Sequence, residues 1–241
     1  AGEMSLLGLP QPAKRREALA RVGAIVEEPR FHGHLTGREN LKIVAAARDQ
    51  AARARIDESI ERVGLSHRAD DRVKTYSLGM RQRLGVARCL LADPELLILD
   101  EPMNGLDPAG MEEFRLMIRA LVGEGRTVVF SSHLLDEVEK TCDAIAIVDH
   151  GRVVVQGSIN ELTGDADTVL VATNDDVRAH AVLDGRVLES VEDGLRVRAD
   201  DAAAINRRLV EAGIDVHRLE PERISLERRF LEITSRLEVA A

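Results

Sequence analysis

Two adjacent carboxylates, Asp100 and Glu101, directly follow the apolar run LLIL. A continuous apolar run bounded by turns predicts a strand buried on both faces of a parallel sheet. Parallel strands deliver their carboxyl ends to the ligand-binding edge of an open α/β sheet. Asp100 could therefore hold Mg²⁺ at that edge, and Glu101 could orient or deprotonate an attacking water. The alternative for both residues is a solvated turn between strand and loop.

Two further positions have side chains suited to phosphate. Ser77 precedes a predicted helix, with Gly79 beside it, and a hydroxyl together with exposed amides at a helix start binds phosphate well. The alternative is an ordinary serine N-cap. His133 follows the apolar run TVVF, so it is expected to face the same edge as Asp100, where its imidazole could hydrogen-bond a γ-phosphate. The alternative is a capping or surface histidine.

The elements that must position these side chains alternate between short apolar strands and amphipathic helices, which predicts parallel βαβ units. The helix that begins after Ser77 places Met80, Leu84, Ala87 and Leu91 on one face, as a helix packed on a sheet requires. The chain is therefore expected to have an α/β fold with a parallel sheet core and a helical subdomain.

Helix ends are marked by specific residues. Thr36 with Glu39 three positions later forms the pattern of a capping box. Asp107 is a predicted N-cap, with Pro108 at the first helical position. A helix over residues 14–23 is expected to end at its glycine.

The pattern changes near residue 163. The later segments follow the order β-α-β-β-α-β, which predicts a small ferredoxin-like α+β domain, and a final amphipathic helix is expected to pack on that domain. We therefore predict two domains, residues 1–163 and residues 164–241. A hairpin is predicted just before the boundary, with its turn near His150 and Gly151.

Composition excludes several classes of protein. The net charge of −9 and the 2% aromatic content, with no tryptophan, argue against a nucleic-acid partner, since a basic footprint and stacking rings are both lacking. The two cysteines, Cys89 and Cys142, form no CxxC pattern, and reduced thiols are expected. No apolar run approaches the length of a membrane span.

Four motifs in a fixed order carry a resemblance to a known family. YSLGM, LLILDE, NGLD and SSH together resemble the nucleotide-binding domain of ABC transporters, matching its signature motif, its Walker B strand with the catalytic glutamate, its D-loop and its switch histidine. The match covers roughly the first two-thirds of the chain. Two longer segments resemble the sequences of the bacterial branch of this family that serves drug and antibiotic exporters: EEPRFHGHLTGRENL and HLLDEVEKTCDAIAIVDHGRVVVQGS.

The resemblance implies roles for the residues at the sheet edge. Asp100 would act on Mg²⁺, Glu101 would be the general base, and His133 would sense the γ-phosphate of ATP. Glu27 lies where the family has a glutamine that binds Mg²⁺, so it is a further candidate metal ligand with an added charge.

The resemblance also implies that ATP is held between two copies of the domain. Ser77, Leu78, Gly79 and Met80 would bind ATP held by the opposite subunit, and Asp107 would cross the dimer interface. The signature departs from the family pattern, because Leu78 replaces a glycine and Met80 a glutamine.

One expected motif has no counterpart. A Walker A loop, G-x-x-x-x-G-K followed by Ser or Thr, cradles phosphates with backbone amides, and none of the four lysines (Lys14, Lys42, Lys74 and Lys140) follows a glycine. The 241 residues resemble a domain that lacks its first strands and P-loop, so the chain by itself is expected to be inactive.

The implied function is that of an ATP-hydrolysing subunit of an ABC exporter. It would lie in the cytoplasm on the inner face of the membrane, pair with a second nucleotide-binding domain, most simply as a homodimer, and drive a separate permease with ATP and Mg²⁺. Two alternatives stay open: a soluble ABC ATPase that acts on ribosomes or DNA, and a degenerate ABC protein that does not hydrolyse ATP.

Overall fold

The computed structural model describes residues 2–163, 168–198, 202–221 and 225–239. The chain divides into two compact units, residues 1–134 and residues 135–241. The domain boundary expected after residue 163 lies inside the second unit and stays a prediction.

The described part of the first unit contains a parallel sheet with the strand order β3-β4-β5, flanked by helices. Its strands are β1 (Met4–Leu6), β2 (Leu9–Gln11), β3 (Val22–Ile25), β4 (Leu96–Leu99) and β5 (Thr127–Phe130). Its α-helices are α1 (Arg15–Ala20), α2 (Gly37–Ala46), α3 (Gln50–Ala54), α4 (Ile56–Arg62), α5 (Leu78–Leu90) and α6 (Pro108–Gly123). Strands β1 and β2 form a separate antiparallel hairpin.

The predicted helix starts are confirmed by side-chain caps. Thr36 Oγ1 accepts the Glu39 N–H at 3.1 Å, and Glu39 Oε2 accepts the Thr36 N–H at 2.8 Å, so α2 begins with a complete capping box. The hydrogen bond from the Thr36 backbone N–H, with a smaller contribution from the Thr36 side chain, lowers the pKa of the Glu39 carboxylate. Asp107 Oδ1 accepts the Gly110 N–H at the start of α6, where Pro108 occupies the first helical position.

The prediction that a helix ends at Gly23 is wrong. Helix α1 ends at Ala20, and Gly23 lies inside strand β3. A Cβ atom at this position would lie 2.7 Å from Cys89 Cβ and 2.9 Å from Leu97 Cδ2. Gly23 is therefore required because α5 packs closely on the sheet, and not because a helix must end there.

The core of the first unit joins the sheet to α5, α6 and the α2–α4 helices. Its largest fully buried side chains include Leu41, Leu84, Leu97, Leu99 and Phe114. The prediction that the LLIL strand is buried on both faces is wrong, because Ile98 and Val129, which are paired across β4 and β5, are 39% and 53% exposed.

The described residues of the second unit contain a hairpin and a four-stranded antiparallel sheet with the order β11-β8-β10-β9. The strands are β6 (Ala144–Asp149), β7 (Arg152–Ser158), β8 (Thr168–Thr173), β9 (Val187–Val191), β10 (Gly194–Arg198) and β11 (Val216–Pro221). The helices are α7 (Leu135–Thr141), α8 (Ile159–Thr163), α9 (Asp176–Val182), α10 (Ala202–Glu211) and α11 (Leu226–Val239).

The order β8-α9-β9-β10-α10-β11 confirms the ferredoxin-like prediction. The hairpin of β6 and β7 also forms as predicted, and both residues of its turn, His150 and Gly151, have positive φ. Helix α11 packs mainly against α7 and α8, and not on the domain of residues 164–241 as expected; Glu139 Oε2 accepts the Leu226 N–H at its start. These contacts explain why α7 and α8 belong to the second unit. No helix among the residues described is long and apolar enough to cross a membrane.

Candidate active site

The carboxyl edge of the parallel sheet brings three loops together. Ile25, Leu99 and Phe130 pair across the ends of β3, β4 and β5. The backbone N–H of Asp100 donates to the Ile25 carbonyl at 2.9 Å, and that of Ser131 donates to the Leu99 carbonyl at 3.1 Å. The residues that follow β4 and β5, Asp100 and Ser131, are thus each held by a backbone hydrogen bond to the neighbouring strand.

Ser131 links the two carboxylate residues. Its hydroxyl donates to Asp100 Oδ1 at 2.7 Å and accepts the Glu101 N–H at 2.8 Å. The sequence motifs did not identify Ser131 as a site residue. Its position could have indicated this role, because a hydroxyl residue directly follows the strand TVVF at the edge where Asp100 is expected.

Glu101 and His133 are in direct contact. His133 Nδ1 lies 3.0 Å from Glu101 Oε2. The side chains are 60% and 37% exposed, so both are open to a ligand at this edge. The backbone of Glu101 has φ +43°, in the left-handed region that residues with a Cβ seldom occupy. A carboxylate, an imidazole and a second carboxylate therefore converge on one exposed edge, an arrangement suited to activating water.

Glu27 lies two residues beyond the end of β3. It is exposed, its φ is +58°, and it makes no hydrogen bond or ion pair with other described residues. Its neighbour Glu28 instead accepts from Arg81 Nε at 3.0 Å. The fold thus places Glu27 at the predicted edge of the sheet, with no hydrogen bond to Asp100 among those of the described residues.

The donor set at this edge suits a magnesium ion that also binds phosphates. Within the described ranges, no three His, Cys, Asp or Glu side chains form a group able to hold a metal. Mg²⁺ in phosphate-transfer sites is commonly held by one or two carboxylates, water and the phosphates themselves, so a closed protein cage is not required. Asp100 fits this pattern, because Ser131 engages only its Oδ1 atom. His32 and His34, whose rings are 5.9 Å apart, belong to no such group.

The signature segment forms the start of α5. Ser77 Oγ accepts the Met80 N–H at 3.2 Å, so the serine is an N-cap and also stays exposed. Tyr76 is buried, and its hydroxyl donates to the Arg68 carbonyl at 2.6 Å. Burial, with a smaller contribution from Asp71, raises the pKa of Tyr76, so the phenol stays a neutral donor.

The loop before α6 lies beside this segment. A Cβ atom added at Gly79 would be 3.7 Å from Leu106 Cδ2, and one added at Gly105 would be 3.1 Å from Leu78 Cδ2. The structure therefore brings Leu78 and Gly79 of the segment formed by Ser77, Leu78, Gly79 and Met80 next to the loop that ends at Asp107. The Asn104 N–H of this loop donates to the Glu101 carbonyl at 3.1 Å, which links the loop to the carboxyl edge of the sheet.

A cleft of about 310 Å³ lies between the loop after β3 and helices α2 and α5. The Arg88 guanidinium stands over the Phe31 ring at 5.4 Å. The lining residues combine apolar and basic side chains and include no carboxylate: Arg30, Phe31, His32, Asn40, Ile43, Val44 and Arg88.

Proteins of similar sequence extend over nearly all of the chain. An ABC transporter ATP-binding protein of Bacillus subtilis, YdbJ, is 40% identical over 240 residues, which cover 98% of this chain and 78% of that protein. The bacitracin transport ATP-binding protein BcrA of Bacillus licheniformis is 38% identical, with 97% of this chain and 79% of that protein covered. The daunorubicin resistance ATP-binding protein DrrA3 of Streptomyces coeruleorubidus is 35% identical, covering 91% and 75%.

Solved structures and a family model agree with these relatives. CbiO1 of Clostridium perfringens, part of the ABC transporter complex cbiONQ, superposes with a TM-score of 0.61 at 26% identity and covers 67% of each chain. The family model described as ABC transporter matches residues 2–104. The chain therefore belongs to the family of ABC transporter ATP-binding proteins. The resemblance seen in the sequence and the expected α/β fold are both confirmed.

Proposed function

We propose that this chain is the ATP-hydrolysing subunit of an ABC exporter and that hydrolysis takes place at the carboxyl edge of β3, β4 and β5. The contact between Glu101 and His133 is the observation that carries this proposal. It places a proton acceptor and an imidazole side by side, exposed to ligand, just beyond the ends of two neighbouring parallel strands.

Glu101 has the chemistry of the general base. It would take a proton from the attacking water as the oxygen bonds to the γ-phosphorus and the bond from that phosphorus to the β,γ-bridging oxygen breaks, giving ADP and phosphate. His133, held 3.0 Å from Oε2, would orient Glu101 and hydrogen-bond the γ-phosphate. Asp100 and Glu27 would hold Mg²⁺, which neutralises charge on the phosphate oxygens when it is bound.

A second copy would complete the site. Within the segment of Ser77, Leu78, Gly79 and Met80, Leu78 and Gly79 lie next to the loop that ends at Asp107, and Ser77 and Asp107 are exposed. We assign this surface to the ATP held by the opposite subunit, with Asp107 at the interface. The N-cap bonds of Ser77 and Asp107 use backbone amides of their own helices and leave further acceptor capacity on both side chains.

A separate membrane permease is the partner we propose, with this subunit on the cytoplasmic face. Relatives named for bacitracin transport and daunorubicin resistance support an exporter, and CbiO1 is part of a transporter complex. The cleft lined by Arg30 and Arg88 is the surface we assign to the permease. Its guanidinium groups face no lining carboxylate, so an acidic segment of the partner would complement them.

The proposal is tested by phosphate release from a P-loop-complete version of the protein, in which a segment with the Walker A pattern G-x-x-x-x-G-K followed by Ser or Thr precedes residue 1. We expect hydrolysis that requires Mg²⁺ and increases when the permease is present in vesicles. ATP binding without phosphate release would favour the degenerate alternative. The 241 residues alone are expected to bind ATP weakly, and an affinity of about 1 μM with Mg²⁺ dependence would contradict this expectation.

A further inference from the structure

We propose that Ser131 is a positioning residue of the hydrolytic site, which fixes the carboxylate of Asp100 and the backbone of Glu101 through a single hydroxyl group. The role in catalysis rests on the proposed function, whereas the hydrogen bonds themselves can be tested without it. Ser131 lies directly after β5, and the residues that it holds lie directly after β4.

The hydroxyl is used in both directions. It has one proton to donate, and that proton is directed at Asp100 Oδ1, 2.7 Å away. The oxygen also accepts the Glu101 N–H at 2.8 Å. An alanine would remove both bonds together, while a threonine could keep both, because it retains a hydroxyl on Cβ.

The first bond orients Asp100. With Oδ1 held by Ser131, the carboxylate cannot rotate freely, and Oδ2 is the oxygen without a partner among the described residues. A carboxylate held in this way presents one defined oxygen to a cation or to phosphate-bound water. Partners of ligating carboxylates are known to tune a site in this manner.

The second bond holds an uncommon backbone conformation. Glu101 has φ +43°, which persists in a residue with a Cβ only where its surroundings enforce it. The Ser131 hydroxyl anchors the Glu101 N–H, and the Asn104 N–H donates to the Glu101 carbonyl at 3.1 Å. This conformation directs the Glu101 side chain toward His133.

The segment after β5 therefore holds Glu101 at both ends. Ser131 binds its amide, and His133, two residues later, binds its carboxylate. Movement of this segment would displace the base and Asp100 together. An alternative is that Ser131 only stabilises the edge of the sheet. Its replacement would then lower the free energy of unfolding and leave catalysis unchanged.

Ser131→Thr and Ser131→Val form the matched pair for the test, because the two side chains have the same shape and differ in the hydroxyl. Ser132→Ala is the neighbouring control, since among the described residues the Ser132 hydroxyl bonds only to the nearby Leu134 N–H, which donates to it. Two measurements are needed: amide hydrogen exchange of Glu101 in the 241-residue chain, and kcat with KM for ATP in the P-loop-complete version.

We expect the Glu101 amide to exchange about tenfold faster in Ser131→Val than in Ser131→Thr. We also expect kcat to fall about 10- to 100-fold in Ser131→Val, with KM and the melting temperature close to those of Ser131→Thr. Equal exchange rates of the Glu101 amide in the two variants would show that the Ser131 hydroxyl does not bind this amide. Equal kcat values together with unequal exchange rates would contradict the positioning role. A loss of kcat that accompanies a lower melting temperature would also contradict it. If the parent protein does not hydrolyse ATP, the proposed function fails and hydrogen exchange still decides the bond.

Discussion

Glu101→Gln is the substitution that separates chemistry from structure at the sheet edge. The amide has nearly the same shape as the carboxylate, and its oxygen can still accept a hydrogen bond from His133. It cannot take a proton from water. We therefore expect hydrolysis to stop while ATP binding and the folded structure persist.

The exposure of the pair sets the size of the structural effect. Glu101 is 37% exposed and His133 60% exposed, and ion pairs as open as this contribute about 0–1 kcal/mol to stability. The free energy of unfolding should thus change by less than about 1 kcal/mol. Loss of a general base lowers a rate by about 10²- to 10⁴-fold, which corresponds to about 3–5 kcal/mol of activation free energy.

Three measurements on the P-loop-complete version are required. Steady-state phosphate release gives the rate of hydrolysis, equilibrium binding gives the affinity for ATP, and urea denaturation gives the free energy of unfolding. Glu113→Gln is the control. Glu113 is an exposed glutamate of α6, and its carboxylate lies 2.8 Å from the Arg83 guanidinium, outside the candidate site. Turnover near the parental rate would show that Glu101 is not the base. A stability loss as large as the loss of rate would show that its role is structural.

Three further perturbations follow from the structure. Glu27→Gln should change the Mg²⁺ concentration needed for hydrolysis if Glu27 is a metal ligand; an unchanged curve and rate would assign it to the loop alone. Burial raises the pKa of the Cys89 thiol to about 11, so its contribution to stability is complete below the ordinary thiol pKa and is lost as pH rises toward 11. Urea denaturation should show about 2–3 kcal/mol less stability at pH 11 than at pH 8, after subtraction of Cys89→Ala, and no difference would refute the shift. Gly85→Ala should cost about 1–3 kcal/mol, because its Cβ would lie 2.8 Å from Pro29 Cγ, whereas Gly123→Ala, with open space around it, should cost nothing.

The positions of the candidate site residues could be predicted because they follow short apolar strands. The run LLIL placed Asp100 and Glu101, and the run TVVF placed His133, at the carboxyl ends of neighbouring parallel strands. This reasoning needs only hydrophobic pattern and the geometry of parallel sheets. The capping box at Thr36 was also predictable, since all of its atoms lie within four residues.

The contacts within the site could not be predicted in the same way. The bond from Ser131 to Asp100 depends on the register of β5 against β4, which the sequence does not state. The contact of Glu101 with His133 depends on a left-handed backbone at a glutamate, against its intrinsic preference.

Gly23 shows how a local signal fails. A glycine at the end of a helical pattern usually marks a C-cap. Here the packing of Cys89 against the strand requires a residue without a side chain, and this distant contact determines the position. Tertiary packing thus decided against the local preference.

The central claim is that ATP is hydrolysed between Glu101 of one copy and Ser77 of another. Mixing two inactive variants of the P-loop-complete protein, Glu101→Gln and Ser77→Arg, tests it most directly. A mixed dimer would have one site with both residues intact and one site with both replaced. Random pairing makes about half of the dimers mixed, so we expect about a quarter of the parental rate to return. If mixing restores no phosphate release although mixed dimers form, the site is not shared between two copies and the account is contradicted.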